Sequence, residues 1–230
     1  MTVPAAPRAL FFVLRAGMAA VAVSVLAACA SKPPVPEWQM NAHGAAQKAV
    51  QAYLSGETRV ADLEWSRARA EVARTGRPDR LARVELMRCA AQVASLDLQP
   101  CSAFEALRPD APPADQAYAD YLAGRANAAS LALLPPPQRE VAGAAGAGAI
   151  AGIADPLSRL VASGAAVQAG HASDALLQLA TDTASDQGWR RPLLAWLLLR
   201  VQRAEQAGDT AQAAALRTRI ELVERQGAPR

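Results

Sequence analysis

One residue in four of this chain is alanine: 57 of 230. Isoleucine occurs only at Ile150, Ile153 and Ile220, and aromatic residues make up 4%. Alanine is the strongest helix former, whereas strands draw on β-branched and aromatic side chains. Hydrophobic residues reach 52%, enough for a core. These proportions argue against a mainly β fold and predict an all-α body.

The first 28 residues contain no acid. Arg8 and Arg15 flank a short apolar stretch, and a second apolar run continues to Ala28. A basic start followed by an apolar segment of this length is the pattern of an export leader. It ends in Leu26-Ala27-Ala28-Cys29. Small residues before the cut fit a peptidase cleft, and the thiol that follows is a nucleophile for a lipid. This arrangement resembles the lipobox of bacterial lipoproteins.

The resemblance implies that residues 1–28 are a signal peptide and that Cys29 becomes an acylated N-terminus. Each buried CH₂ adds about 0.8 kcal/mol, so two or three acyl chains hold a protein firmly on a bilayer. Ala30 follows rather than Asp. In enterobacterial lipoproteins an Asp there marks inner-membrane retention. The expected address is therefore the periplasmic face of the outer membrane. Residues 29–40, with Pro33, Pro34 and Pro36, read as an extended tether.

Gly and Pro divide the remainder into helix-length pieces. An N-terminal helical region is expected over residues 41–134, with helices near 41–54, 60–74, 78–96, 115–122 and 127–134. Leu63, Ala68 and Val72 mark the apolar spacing of the second helix. Residues 135–154 read as a Pro/Gly/Ala-rich connection. Residues 155–226 read as C-terminal helical hairpins, and 227–230 as a tail. Asp155-Pro156, Ser173-Asp174 and Asp209 are helix-start signals. Residues 189–207 are apolar nearly all round, which predicts a central helix.

The two C-terminal turns parallel each other. Gly170 is followed five residues later by Ala175, and Gly208 by Ala213. This pattern resembles, weakly, the helical hairpins of tetratricopeptide repeats. In that family the glycine closes the first helix of a pair and the alanine sits where two helices approach. The spacing is 38 rather than the family's usual 34, and Arg217 stands where a large apolar residue is usual. The fold expectation is all-α antiparallel helical hairpins, either an α-solenoid of tetratricopeptide type or an irregular helical bundle.

Candidate chemistry is sparse. Cys89 and Cys101 are the remaining thiols once Cys29 is lipidated. In an exported protein such a pair is expected to form a disulfide. It would pin one helix to the chain starting at Ser102. Gly146-Ala147-Gly148 offers two glycines of a dinucleotide loop, but Ala151 stands in the third place and no lysine follows. His43 and His171 are isolated, so no metal site is expected, and no cofactor. Glu37, Glu57, Glu64, Glu71 and Glu85 could supply a glycosidase-like acid pair. Trp38, Trp65, Trp189 and Trp196 read as core or interface residues rather than sugar platforms.

From Cys29 onward 22 basic residues face 21 acidic ones, a net charge of +1. The signs are interspersed, so a solvated surface is expected and nucleic acid is not an expected partner. The function expected is that of a lipid-anchored periplasmic scaffold or adaptor. It would bind an envelope protein partner in assembly or secretion and would not be an enzyme. The alternative is a cell-wall enzyme with a carboxylate acid. A deep cleft holding a buried glutamate beside a second carboxylate would favour the enzyme. A shallow groove of apolar and mixed-charge residues would favour the scaffold.

Overall fold

A computed structural model of the chain describes residues 34–143 and 146–226. Cys29, the leader and the start of the tether lie outside the described residues. The body begins at Glu37 and, among the described residues, contains eleven α-helices, two 3-10 turns and no strand. The all-α expectation holds.

Helix α1 (Glu37–Ser55) pairs with α2 (Thr58–Ala73) as an antiparallel hairpin. The seam is built from small residues. Ala42, Ala45, Ala46 and Ala49 of α1 and Ala61 and Ala68 of α2 are all buried. Methyl-sized contacts let the two backbones close up, and Trp65 supplies the bulk that fills the space beneath. The buried stripe of α2 is Ala61, Trp65, Ala68 and Val72, and Leu63 of the expected stripe is exposed.

Helix α3 (Pro78–Ala94) is the hub of the N-terminal half. It packs on α1, α2, the short helix α4 (Ser102–Glu105) and α5 (Pro113–Leu122). Two further short helices, α6 (Pro136–Ala142) and α7 (Ala147–Ala151), occupy the stretch read as a connection. Then follow α8 (Pro156–Gln168), α9 (Asp174–Asp186), α10 (Arg190–Gln206) and α11 (Thr210–Gln226).

The start signals act as read. Asp155 accepts from the Ser158 N–H at 2.7 Å, Ser173 from Leu176 at 3.3 Å and Asp209 from Gln212 at 2.9 Å. Each satisfies one orphan donor of a helix N-terminus. The two repeated turns also match: Gly170 has φ +88° and Gly208 +74°, a region in which L side chains are strained. The paired alanines differ, since Ala213 is buried and Ala175 is exposed. Arg217 forms an ion pair with Glu205, bridging α11 to α10 across the surface.

Consecutive C-terminal helices pack as hairpins, but the contacts do not stop at neighbours. Helix α8 lies against α3, and α10 returns onto α1. A strict solenoid joins each unit to the next alone. Two polar anchors fix the α10 return. Trp196 Nε1–H donates to the Ala94 carbonyl at 3.0 Å, at the end of α3. Arg191 donates to the Tyr53 carbonyl at 2.7 Å and to Thr58 Oγ1 at 2.8 Å, its guanidinium 4.2 Å from the Tyr53 ring centroid. The α3–α8 crossing is close because position 164 is glycine. A Cβ there would stand 2.2 Å from the Val93 carbonyl oxygen.

Several boundaries differ from the sequence reading. Residues 37–40 are helical rather than tether, and the Glu37 carboxylate in the first turn suits the positive end of the helix. Residues 127–134 form a 3-10 turn, Leu131–Leu133, and no α-helix. Asn127 Oδ1 accepts from the Ser130 N–H at 3.0 Å, a local bond that competes with helix formation. Helix α9, expected from its Ser173-Asp174 start to end at Ala180, runs on to Asp186, with the Thr181 and Thr183 hydroxyls donating back to the carbonyls of Leu177 and Leu179. Helix α10 is not buried all round, because Leu198 is 56% exposed.

Candidate functional site

An open groove runs along the outer face of the α1–α2 hairpin. One part encloses about 680 Å³ between Gln47, Gln51, Ser55, Glu57 and Val60, with Met87 of α3 and Leu157 of α8 at its side. A second part of about 410 Å³ runs towards Met40 and Glu71. Lys48 and Glu64 line both parts, so the two form one trough.

Helical geometry dictates this lining. On α1 the positions Met40, Gly44, Lys48, Gln51 and Ser55 recur every three or four residues and share one face. On α2 the same holds for Glu57, Val60, Glu64, Arg67 and Glu71. Three of the exposed large apolar side chains of the body line the trough: Met40 at 56%, Val60 at 44% and Met87 at 37% exposure. Gly44 sits in its floor with nothing within 4 Å of where a Cβ would be.

The charges along the trough are partly neutralised. Glu64 is buried and accepts from Arg67 at 2.7 Å, and Glu71 accepts from Arg74 at 3.1 Å. Lys48 and Glu57 form no ion pair among the described residues. Glu57, Glu64 and Glu71 are seven residues apart in turn, which sets their backbones about 10.5 Å from one another along the axis.

The other sequence candidates fall elsewhere. Glu85 is buried beneath Arg69, which donates to its two oxygens at 2.5 and 2.9 Å. This fork also raises the Arg69 pKa. Both carboxylate oxygens are thereby occupied, which leaves neither open to a substrate. Glu37 opens α1. Trp65, Trp189 and Trp196 are core residues. Cys89 and Cys101 form a disulfide with Cα atoms 5.9 Å apart, joining the buried middle of α3 to the residue that precedes α4. The Gly146 region opens the five-residue helix α7. Among the described residues no group of three or more His, Cys, Asp or Glu is placed to hold a metal ion. Nor is any described helix long and apolar enough to cross a membrane.

Sequence reasoning missed the trough itself. Its signal was present as Val60 and Met87, apolar residues out of phase with the buried stripes of their own helices. No protein-family model matches the chain, and comparison with curated proteins and with solved structures found no significant match.

Proposed function

We propose that the protein is a lipid-anchored adaptor of the bacterial cell envelope, and that its α1–α2 trough receives an amphipathic helix of an envelope protein. The observation that carries this reading is the trough: long, open, lined by Met40, Val60 and Met87, and rimmed by mixed charge. A helix in a groove is recognised by apolar anchors on one face. The unpaired Lys48 and Glu57 add a polarity, since an acidic residue of the partner suits the first and a basic one the second.

The anchor rests on the lipobox-like residues Leu26-Ala27-Ala28-Cys29, with acylation at Cys29 and an outer-membrane address. Two features support binding over the alternative, a cell-wall enzyme with a carboxylate acid. They are the openness of the trough and the arginine partners of Glu64 and Glu71.

Site-specific photocrosslinking in intact cells tests the reading. Benzoylphenylalanine in place of Val60 should capture an envelope protein, and the same probe in place of Leu198 should not. The captured peptide should map to an amphipathic helix, and Lys48→Glu should weaken the crosslink several-fold. Equal capture at both positions, or none at Val60, overturns it. Mass spectrometry of the N-terminus decides the anchor: an intact Met1 or an unmodified Cys29 excludes it.

A further inference from the structure

A concavity of about 300 Å³ lies between α9, α10 and α11 and shares no residue with the trough. On α9, Asp174, Leu177 and Gln178 stand at i, i+3 and i+4 and share one face. Arg200 and Arg203 stand at i and i+3 on α10, and Gln212 comes from the first turn of α11. Leu177 is buried and supplies an apolar wall. The other five side chains are polar.

This lining carries charges of both signs that do not meet. Among the described residues, Arg200, Arg203 and Asp174 form no ion pair. Asp174 opens α9, but Ser173 supplies the capping bond of that helix, so the Asp174 carboxylate is left free. Arg203 donates from Nη2 to the Ala172 carbonyl at 2.8 Å, which fixes its guanidinium beside the concavity. The nearby Asp182 is already engaged, since Gln178 Nε2 donates to its two oxygens at 2.7 and 2.6 Å.

Arg200 is the least satisfied of these groups. It is partly buried and makes no hydrogen bond among the described residues, and its Nη1 is covered and without a partner. Burial, and then the charge of Arg219, lowers its pKa, while Asp182 and Asp174 act the other way. A guanidinium stays charged at any physiological pH, so it cannot relieve this cost by losing its proton. A carboxylate against the open edge of the fork does relieve it, and Arg203 adds a second cation beside it. A simple anion would also face Asp174 across the same space. A ligand that carries a cation as well turns that repulsion into attraction.

We infer that this concavity binds a free α-amino acid, its carboxylate against Arg200 and Arg203 and its ammonium against Asp174. One molecule with both charges bridges side chains that stand too far apart to pair directly. A water molecule's share of the liquid is about 30 Å³, so the space suits roughly ten non-hydrogen atoms. Gln178 and Gln212 offer amides to a polar side chain. The inference is independent of the docking trough.

Saturation-transfer NMR on the full chain in non-ionic detergent tests it with L-glutamine, which has about ten non-hydrogen atoms. Transfer should saturate with a Kd of about 1 mM, a modest affinity that suits an open polar site. N-acetyl-L-glutamine lacks the ammonium and L-glutaminamide lacks the carboxylate, and each should bind about ten-fold more weakly, the loss of one charge pair. Asp174→Asn should close the gap between L-glutamine and its N-acetyl form. Arg200→Gln should close the gap between L-glutamine and its amide. Circular dichroism shows whether each variant folds, and the ligand ratios of the parent decide the matter even where one does not. Three outcomes overturn the inference: no saturable transfer to L-glutamine, equal binding of the three ligands by the parent, or a folded variant that keeps the parent's ratio.

Discussion

Two glycine-to-alanine substitutions in helix interiors should act in opposite directions. Gly164 lies in α8 where it crosses α3. An alanine Cβ would stand 2.2 Å from the Val93 oxygen, 2.8 Å from Val93 Cγ1 and 2.9 Å from its carbonyl carbon. Carbon and oxygen settle at about 3.3 Å or more, so the helices must part by about 1 Å. Val93 cannot simply yield, because its carbonyl also accepts from the Leu96 N–H at 3.0 Å, and the next carbonyl holds Trp196. Overpacking of this kind costs about 3 kcal/mol, and the helix propensity gained returns up to about 1. The net loss is about 2 kcal/mol, which for a body of this size lowers Tm by about 4–8 °C. Gly44→Ala meets nothing within 4 Å and should stabilise by about 0.5–1 kcal/mol. Calorimetry of the two variants beside the parent reads both signs. If Gly164→Ala melts at or above the parent temperature, the close α3–α8 crossing is wrong.

Other expectations follow from single contacts. Cys89→Ser and Cys101→Ser should each cost up to about 3 kcal/mol in chemical denaturation, and the double variant should be no worse than either, since one bridge is lost in all three. Arg191→Ala removes two charge-assisted hydrogen bonds and the stacking on Tyr53, and should cost about 1.5–3 kcal/mol. Arg191→Lys should restore less than half, because an ammonium lacks the fork. Burial first, and then the Asp97 carboxylate, pushes Tyr53 up to about 12 from 10.0. A raised pKa means that the native state holds the proton more tightly. The stability this gives is complete below pH 10 and is lost as pH rises towards 12. The urea midpoint of the parent should therefore fall relative to that of Tyr53→Phe over that interval, and parallel pH slopes would contradict the assignment.

Local chemistry was the legible part of the fold. Asp155, Ser173 and Asp209 cap helices as read, because a capping side chain answers to donors two or three residues away. Gly170 and Gly208 close the turns that their positions announced. The disulfide was readable from the thiol count together with the leader-like N-terminal sequence. Helix phase was less so. On α2 alanine falls on both faces, Ala61 and Ala68 buried and Ala70 and Ala73 exposed, so the apolar stripe has little contrast and Leu63 looked as much like core as Trp65. Asn127 also outran sequence reasoning, since its Asx-type bond competes with a helix that propensity alone allows.

The trough was hidden because it is made by what side chains leave unfilled. Gly44 lines it with nothing within 4 Å of where a Cβ would be. In the sequence it looks the same as Gly164, where the same smallness serves close packing. Which role a small residue has depends on whether another backbone comes to meet it. That is settled by the crossing of helices far apart in the chain, such as α3 with α8, and not by neighbours in sequence. A substitution that adds bulk separates the two roles experimentally. It should be tolerated at Gly44, where nothing lies within 4 Å, and costly at Gly164, where the Val93 backbone stands.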